Sequence, residues 1–263
     1  MDWLVGLALG AGAASLAWRA GLLQPSGAIA AALVGAAACG GAGWRGAVLV
    51  LAFFVSSSLL SRWRTRHKRS LQPVVAKGGR RDAWQVAANG GAAAVLAAAY
   101  GLGGGQADIW LAGLVGALAA ATADTWATEI GVLSSRPPRL LTSGRIVARG
   151  SSGGVTAVGL MASLAGAAAI SGLAAWLWRQ PALLGIGLIA GMLGSLLDSL
   201  LGATLQASYR CPACGSETEQ HPRHVCGAET ERLRGLSWMG NDIVNLLCSV
   251  VGALVAMAFW SGG

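Results

Sequence analysis

Asp198 stands in the apolar run Gly191-Met-Leu-Gly-Ser-Leu-Leu-Asp198-Ser-Leu-Leu-Gly202. A carboxylate in such a run is costly in a bilayer and needs a metal ion or an arginine as partner. Gly187, Gly191, Gly194, Asp198 and Gly202 share one helical face, since residues three and four apart stack on a helix. The glycines let that face pack closely, so Asp198 is expected against another helix and not against lipid. A purely structural carboxylate is the alternative. A second pair of acids occurs in Asp124-Thr-Trp-Ala-Thr-Glu129-Ile-Gly131. Five residues set Asp124 and Glu129 about 140° apart on a continuous helix, so they meet on one ion only if the helix ends or bends there. Acids at a membrane rim suit Mg2+ when phosphates complete its shell. Pairing with nearby arginines is the plainer reading.

Cationic and amide side chains accompany these acids. Arg80 and Arg81 open a span, and adjacent arginines there could hold phosphate oxygens. Arg81, Gln85 and Asn89 follow at i, i+4 and i+8, a polar stripe if all three lie on one helix. Snorkelling at the membrane surface is the alternative. Asn241, Asp242 and Asn245 open the last span, where Asp242 could instead cap the helix. Between the acidic pair and the next span, residues 127–154 are rich in glycine, hydroxyls and arginine, including Arg145 and Arg149. Successive backbone N–H groups in such a segment can form an anion nest. The chain contains no GxxxxGK[ST] phosphate loop and no GxGxxG fingerprint.

Cys211-Pro-Ala-Cys214 is followed by His221, His224 and Cys226. Cys211, Cys214, His224 and Cys226 suit a structural tetrahedral zinc, with His221 as the competing ligand. Free or redox-active thiols are the alternative. The remaining cysteines, Cys39 and Cys248, lie in apolar stretches and read as small packing residues.

The elements that must position these groups are membrane helices. Of the 263 residues 54% are hydrophobic and only 11% charged, against about 25% charged in soluble domains. Only helices and closed barrels satisfy the backbone in lipid, and period-2 alternation is absent. The expectation is an all-α polytopic bundle, one integral membrane domain over 1–263. About eight spans are predicted, near 3–18, 26–42, 46–60, 83–100, 109–126, 155–178, 182–204 and 242–260. Seven are expected if 26–60 packs differently. The net charge of +8 sits mostly in loops beside spans, the positive-inside pattern, which argues against a nucleic-acid partner. It assigns three loops to the cytoplasmic face: the basic loop 61–82, the Gly/Ser/Arg loop 127–154, and 205–240 with its zinc knuckle. Both termini are then outside, in a multi-pass protein of the cytoplasmic (inner) membrane. The forty glycines allow close helix packing, within one chain or in a homodimer.

The order of motifs resembles the membrane family DUF92, which includes the animal transmembrane protein 19 and the plant phytyl-phosphate kinase. The resemblance is carried by Gly78-Gly-Arg-Arg-Asp-Ala-Trp-Gln-Val-Ala-Ala-Asn-Gly90, Asp124-Thr-Trp-Ala-Thr-Glu-Ile-Gly131, Gly153-Gly-Val-Thr156, Gly194-Ser-Leu-Leu-Asp-Ser-Leu-Leu-Gly-Ala-Thr-Leu-Gln206 and Asn241-Asp-Ile-Val-Asn245. It implies Mg2+-dependent phosphorylation of a prenyl monophosphate lipid, of phytyl or geranylgeranyl type, by CTP or ATP. On that reading Asp124, Glu129, Asp198 and Asp242 hold Mg2+. Arg81, Arg145 and Arg149, with Arg80 in reserve, neutralise phosphates, and Asn89, Asn241 and Asn245 orient waters or phosphate oxygens. A CTP-dependent cytidylyltransferase would use the same groups. A lipid or phosphate transporter would need a path open at both faces, and a structural membrane protein would need none of this chemistry.

Overall fold

The computed structural model describes residues 3–67, 79–103 and 106–260. Lys68, Arg69 and Lys77 of the basic loop, and the side chains of 64–67, lie outside the described residues. Among the described residues there are seven helices: α1 (Trp3–Arg19), α2 (Pro25–His67), α3 (Ala83–Leu102), α4 (Ala107–Gly131), α5 (Ala157–Trp178), α6 (Ala182–Thr204) and α7 (Asn241–Ala258). Gly43, at φ 66° and ψ −161°, breaks α2 into two, at the gap expected between the second and third spans. No L side chain adopts that conformation readily. Among the described residues, five helices are long and apolar enough to cross a membrane: Pro25–Trp63, Ala107–Gly131, Ala157–Trp178, Ala182–Thr204 and Asn241–Ala258. The chain is thus an all-α, multi-pass membrane bundle.

α4 forms the axis of the bundle. Every residue from Leu111 to Ala123 is buried, and α2, α3, α5, α6 and α7 all pack on it. A helix enclosed on all sides needs small residues. A Cβ at Gly191 of α6 would lie 2.6 Å from the Cβ of Ala167 and 3.2 Å from the carbonyl of Ala119. Gly194 meets Ala120 and Cys248 in the same way. The glycine face of α6 therefore turns inward, as its spacing predicts, against α4, α5 and α7. Large apolar side chains point outward instead. Leu4, Val95, Met161 and Trp176 are each at least 70% exposed, which suits lipid and not water.

Contacts sort the helix ends into two groups. At one end Trp178 meets Tyr100, Arg45 lies over Trp178, and Gln180 donates to Asp108. At the other, Arg81 pairs by backbone with Leu22 and Gln24, Ser61 meets Glu129, and Gly153 packs against Gly202 and Ala203. This second end carries the non-helical structure. A hairpin of β1 (Arg139–Leu140) and β2 (Gly154–Val155) follows α4. Between α6 and α7, β3 (Ser208–Arg210), β4 (Glu217–Thr218) and β5 (Glu231–Arg234) form an antiparallel sheet in the order β4-β3-β5.

Candidate functional site

A cavity of about 270 Å³ opens at this second end. Four acids line it, Asp124, Glu129, Asp198 and Glu219, together with four arginines, Arg80, Arg81, Arg136 and Arg149. Asn89, Asn241 and Asn245 complete its polar wall. Residues from α2, α3, α4, α6, α7 and both loops thus meet in one space, although up to 184 positions separate Ser61 from Asn245 in sequence (245 − 61).

α4 and α6 bring Asp124 and Asp198 together. Their carboxyls are in hydrogen-bond contact, and Oδ2 of Asp198 is enclosed without a hydrogen-bond partner. Two carboxylates this close cannot both stay ionised without a cation or a shared proton. Glu129 lies elsewhere on the wall. α4 continues to Gly131 without the bend that would bring Glu129 onto one ion with Asp124, although Glu129 still acts electrostatically on Asp124. Its Oε1 accepts from Ser61 Oγ of α2 at 2.7 Å, and it acts electrostatically on Arg81.

Arg81 sits two residues before α3 and not on it. Asp82 is the N-cap; its side chain accepts from the N–H of Gln85, whose own side chain accepts from the Asp82 N–H. This capping box fixes the helix start. The predicted stripe is therefore a strand-like residue followed by two helical ones, yet Arg81, Gln85 and Asn89 all line the cavity. The Arg81 N–H donates to Leu22 O at 3.0 Å, and its carbonyl accepts from the Gln24 N–H at 2.9 Å. Its guanidinium lies 5.7 Å from the ring centre of Phe54. Burial holds its pKa below the usual arginine value, and Glu129 opposes that shift. An arginine so placed remains a cation and is poorly hydrated, which strengthens its pull on an anion. Arg80 is tied to the Leu23 carbonyl by Nε at 3.1 Å and Nη2 at 2.9 Å.

The 150–154 turn closes the opposite wall. Gly153, at φ +78°, lies against the backbone of Ala203, where a Cβ would collide. Arg149 reaches back to the carbonyls of Val132 and Ser135. Thr156 caps α5 by accepting from the Gly159 N–H at 3.0 Å. α3, α5 and α7 all begin at this end, and helix N-termini favour anions. Neither Arg145 nor Asp242 is among the residues lining the cavity. Arg145 is exposed beside the hairpin tip, and Asp242 occupies the first turn of α7.

Cys211, Cys214, His224 and Cys226 form a separate cluster whose ligand atoms all lie within 4.8 Å of one another, so it could hold a metal. Cys211 Sγ is 3.5 Å from Cys226 Sγ, and His224 Nδ1 is 3.2 Å from Cys226 Sγ. Three sulfurs and one imidazole suit a soft or borderline ion. Hydrogen bonds from the Ala228 backbone, then from His224 and the other cysteines, pull the Cys226 thiol down to about 6. The hydrogen bond to Cys226 pushes Cys214 up to about 11. His221 is outside the cluster; it stacks on Tyr209 at 4.4 Å and faces Thr230.

The sequence reading missed Glu219, Arg136, Ser61 and Ser152 in the cavity. Arg136 and Ser152 lie in the Gly/Ser/Arg segment 127–154, and Glu219 stands in the run Glu217-Thr-Glu219 beside the cysteines.

The profile of the family described as integral membrane protein DUF92 matches residues 8–253. Protein PGR of Arabidopsis thaliana is 34% identical over 231 residues, which cover 78% of each chain. An uncharacterized membrane protein of Methanocaldococcus jannaschii is 27% identical, covering 83% of this chain and 77% of its own. Protein VTE6, chloroplastic, of Arabidopsis thaliana is 25% identical over 89% of this chain and 64% of its own. No solved structure matches.

Proposed function

The chain belongs to the integral membrane family DUF92, and from that premise we propose that it transfers a phosphoryl group from a nucleoside triphosphate, CTP or ATP, to a prenyl monophosphate. The resemblance to a family that includes a plant phytyl-phosphate kinase supplies the reaction. The observation that carries it here is one cavity that joins paired carboxylates to four arginines at the rim of a lipid-facing bundle. The polar groups gather at one end. Among the described residues Arg45 and Arg179 are the arginines tied to the other end, so the cavity faces the cytoplasm of an inner membrane and both termini face out. All eight helical segments then cross the bilayer, as a single domain.

The donor set fits a hard divalent cation. Asp124 and Asp198 offer carboxylate oxygens, one of them enclosed and unpartnered, and phosphates would complete the shell of Mg2+. Such an ion would neutralise charge on the transferring phosphoryl group. The chain's own residues do the rest. Arg81 and Arg149 hold the phosphates, with Arg80 and Arg136 beside them. Asn89, Asn241 and Asn245 orient phosphate oxygens. An oxygen of the acceptor phosphate attacks the γ-phosphorus, and the bond from that phosphorus to the β-bridging oxygen breaks. The electron pair leaves with the nucleoside diphosphate, and a prenyl diphosphate forms. The acceptor is already anionic, since its second pKa is about 6, so no side chain need remove a proton. Positioning and charge neutralisation are sufficient. Glu129 orders Arg81 and Ser61. Arg145 and Asp242 are assigned to the approach to the cavity. Cys211, Cys214, His224 and Cys226 would hold a structural zinc, which would help to fold 205–240.

Purified protein in lipid nanodiscs, given Mg2+, phytyl or geranylgeranyl monophosphate and CTP or ATP, tests this by product mass. A prenyl diphosphate is expected. A CDP-linked lipid would make it a cytidylyltransferase, and no product from any donor would shift the reading to lipid or phosphate transport.

A further inference from the structure

A second cavity, of about 330 Å³, adjoins the first and shares Ser61, Gly79, Arg80 and Arg81 with it. Gly21, Leu22, Ser58 and Arg62 complete its lining. The turn between α1 and α2 forms one side, and the last turns of α2 form another. Its chemistry differs from that of its neighbour. Four acids line the first cavity. Among the described residues lining the second there is no carboxylate, and three are arginines. Asp82, beside Arg81, is engaged at the α3 cap.

Like charges around one space are unfavourable unless an anion joins them. Two of these arginines are tied to backbone. Arg62 Nη2 donates to Ala20 O just beyond α1, and Arg80 donates to Leu23 O through Nε and Nη2. Capping of a helix C-terminus accounts for one cation there and not for three. A guanidinium carries five N–H donors, so these bonds leave Nη1 of both side chains for a ligand. The fork of arginine matches two phosphate oxygens at once.

The two cavities also have different surroundings. Loop residues between 132 and 156 and between 206 and 219 line the first. The second has Ser58 and Arg62 of α2 in its wall, and the residues that follow them, Leu59 and Trp63, are 62% and 43% exposed. Such side chains on a membrane helix face lipid and its interface. A water-soluble nucleotide has the loop side to enter by. A headgroup anchored in the bilayer arrives beside α2.

We propose that Arg62, Arg80, Arg81 and Ser58 form a phosphate-monoester subsite that needs no metal ion, and that it takes the headgroup of the acceptor lipid, while the carboxylate-bearing cavity takes the metal-bound nucleotide. This rests on reading the first cavity as a site of phosphoryl transfer. Arg80 and Arg81 are the common wall, so the same two side chains neutralise both phosphates as they approach. Arg62 serves the acceptor alone.

The test measures binding of 32P-labelled geranylgeranyl monophosphate in EDTA, and separately of CTP or ATP with Mg2+. Phosphatidylcholine nanodiscs carry wild type, R62Q, R80Q or D198N, each confirmed folded by size-exclusion chromatography, and binding to empty nanodiscs is subtracted. R62Q should weaken lipid binding tenfold or more and leave nucleotide binding unchanged. D198N should do the reverse, and R80Q should weaken both. If R62Q does not fold, R62K keeps the charge and the bond to Ala20 but loses the fork, and at least threefold weaker lipid binding is expected. Wild-type lipid affinity in R62Q, or in R62K in its place, overturns the subsite. Lipid binding that requires Mg2+, or that D198N abolishes, overturns the division between the cavities. Inorganic phosphate that displaces the labelled lipid as well as unlabelled lipid does overturns the lipid assignment. Nucleotide binding without lipid binding overturns the subsite alone, whereas wild-type protein that binds neither overturns the reading beneath it.

Discussion

Asp198→Asn should make the cation-free protein more stable while it abolishes activity. Asp124 and Asp198 touch in the interior, and Asp198 Oδ2 is enclosed without a partner. Two unit charges about 4 Å apart repel by about 4 kcal/mol at an effective dielectric constant of 20. A shared proton relieves part of this, which leaves roughly 1–3 kcal/mol to recover when one carboxylate becomes an amide. For a chain of this size each kcal/mol moves the melting temperature by about 2–4 °C. Thermal unfolding in nanodiscs with a chelator should therefore rise by several degrees in the variant. Added Mg2+ with nucleotide should stabilise wild type by mass action and leave the variant unchanged. Turnover should fall at least a hundredfold. A variant that melts lower, responds to Mg2+ as wild type does and keeps its turnover would show that Asp198 is a structural carboxylate, and the reasoning would fail.

Gly191→Leu should cost about 1–3 kcal/mol by overpacking, because even its Cβ meets Ala167 and Ala119; a lower melting temperature checks this. Arg81→Gln should raise KM for the phosphorylated substrates more than tenfold, since a charge-assisted hydrogen bond contributes about 1.5–3 kcal/mol, and steady-state kinetics would show it. In metal-stripped protein at pH 7, iodoacetamide should label Cys226 well before Cys214. Cys226 lies at about 6 and is mostly thiolate, whereas Cys214, at about 11, is mostly thiol; peptide mass mapping reads the order. Arg234→Met should lose about 2 kcal/mol, after allowance for its partial exposure, by releasing the α6 C-terminus. Limited proteolysis should then cut within 205–240 faster.

The helices were legible, five of them long and apolar enough to cross a membrane, because lipid imposes length and hydropathy on any helix that crosses it. The inward face of α6 was legible too, since only small residues tolerate contact with α4 and α5 at Gly191 and Gly194. Charge bias placed the polar clusters at one end, which anticipated that Arg81, Asp124, Asp198 and Asn245 would share a cavity. Finer geometry was not readable. Spacing gave the offset of Asp124 and Glu129 on a continuous helix but not whether α4 would bend between them. Glu219 reaches the cavity through strand pairing between Tyr209 and Thr218, a contact made between loop residues with no periodicity. The choice of His224 over His221 was legible, and the stacking of His221 on Tyr209 accounts for it. Arg145 carries the right charge in the right loop, yet the hairpin register leaves it at the exposed tip.

The central claim is transfer of the terminal phosphoryl group to a prenyl monophosphate. Nanodisc-embedded protein should be given geranylgeranyl monophosphate, Mg2+ and CTP or ATP labelled with 32P at either the α or the γ position, and the lipid extract counted. The account predicts label in the lipid from the γ position alone, in a product that migrates as the diphosphate. Label from the α position, or none from either with folded protein, would contradict it.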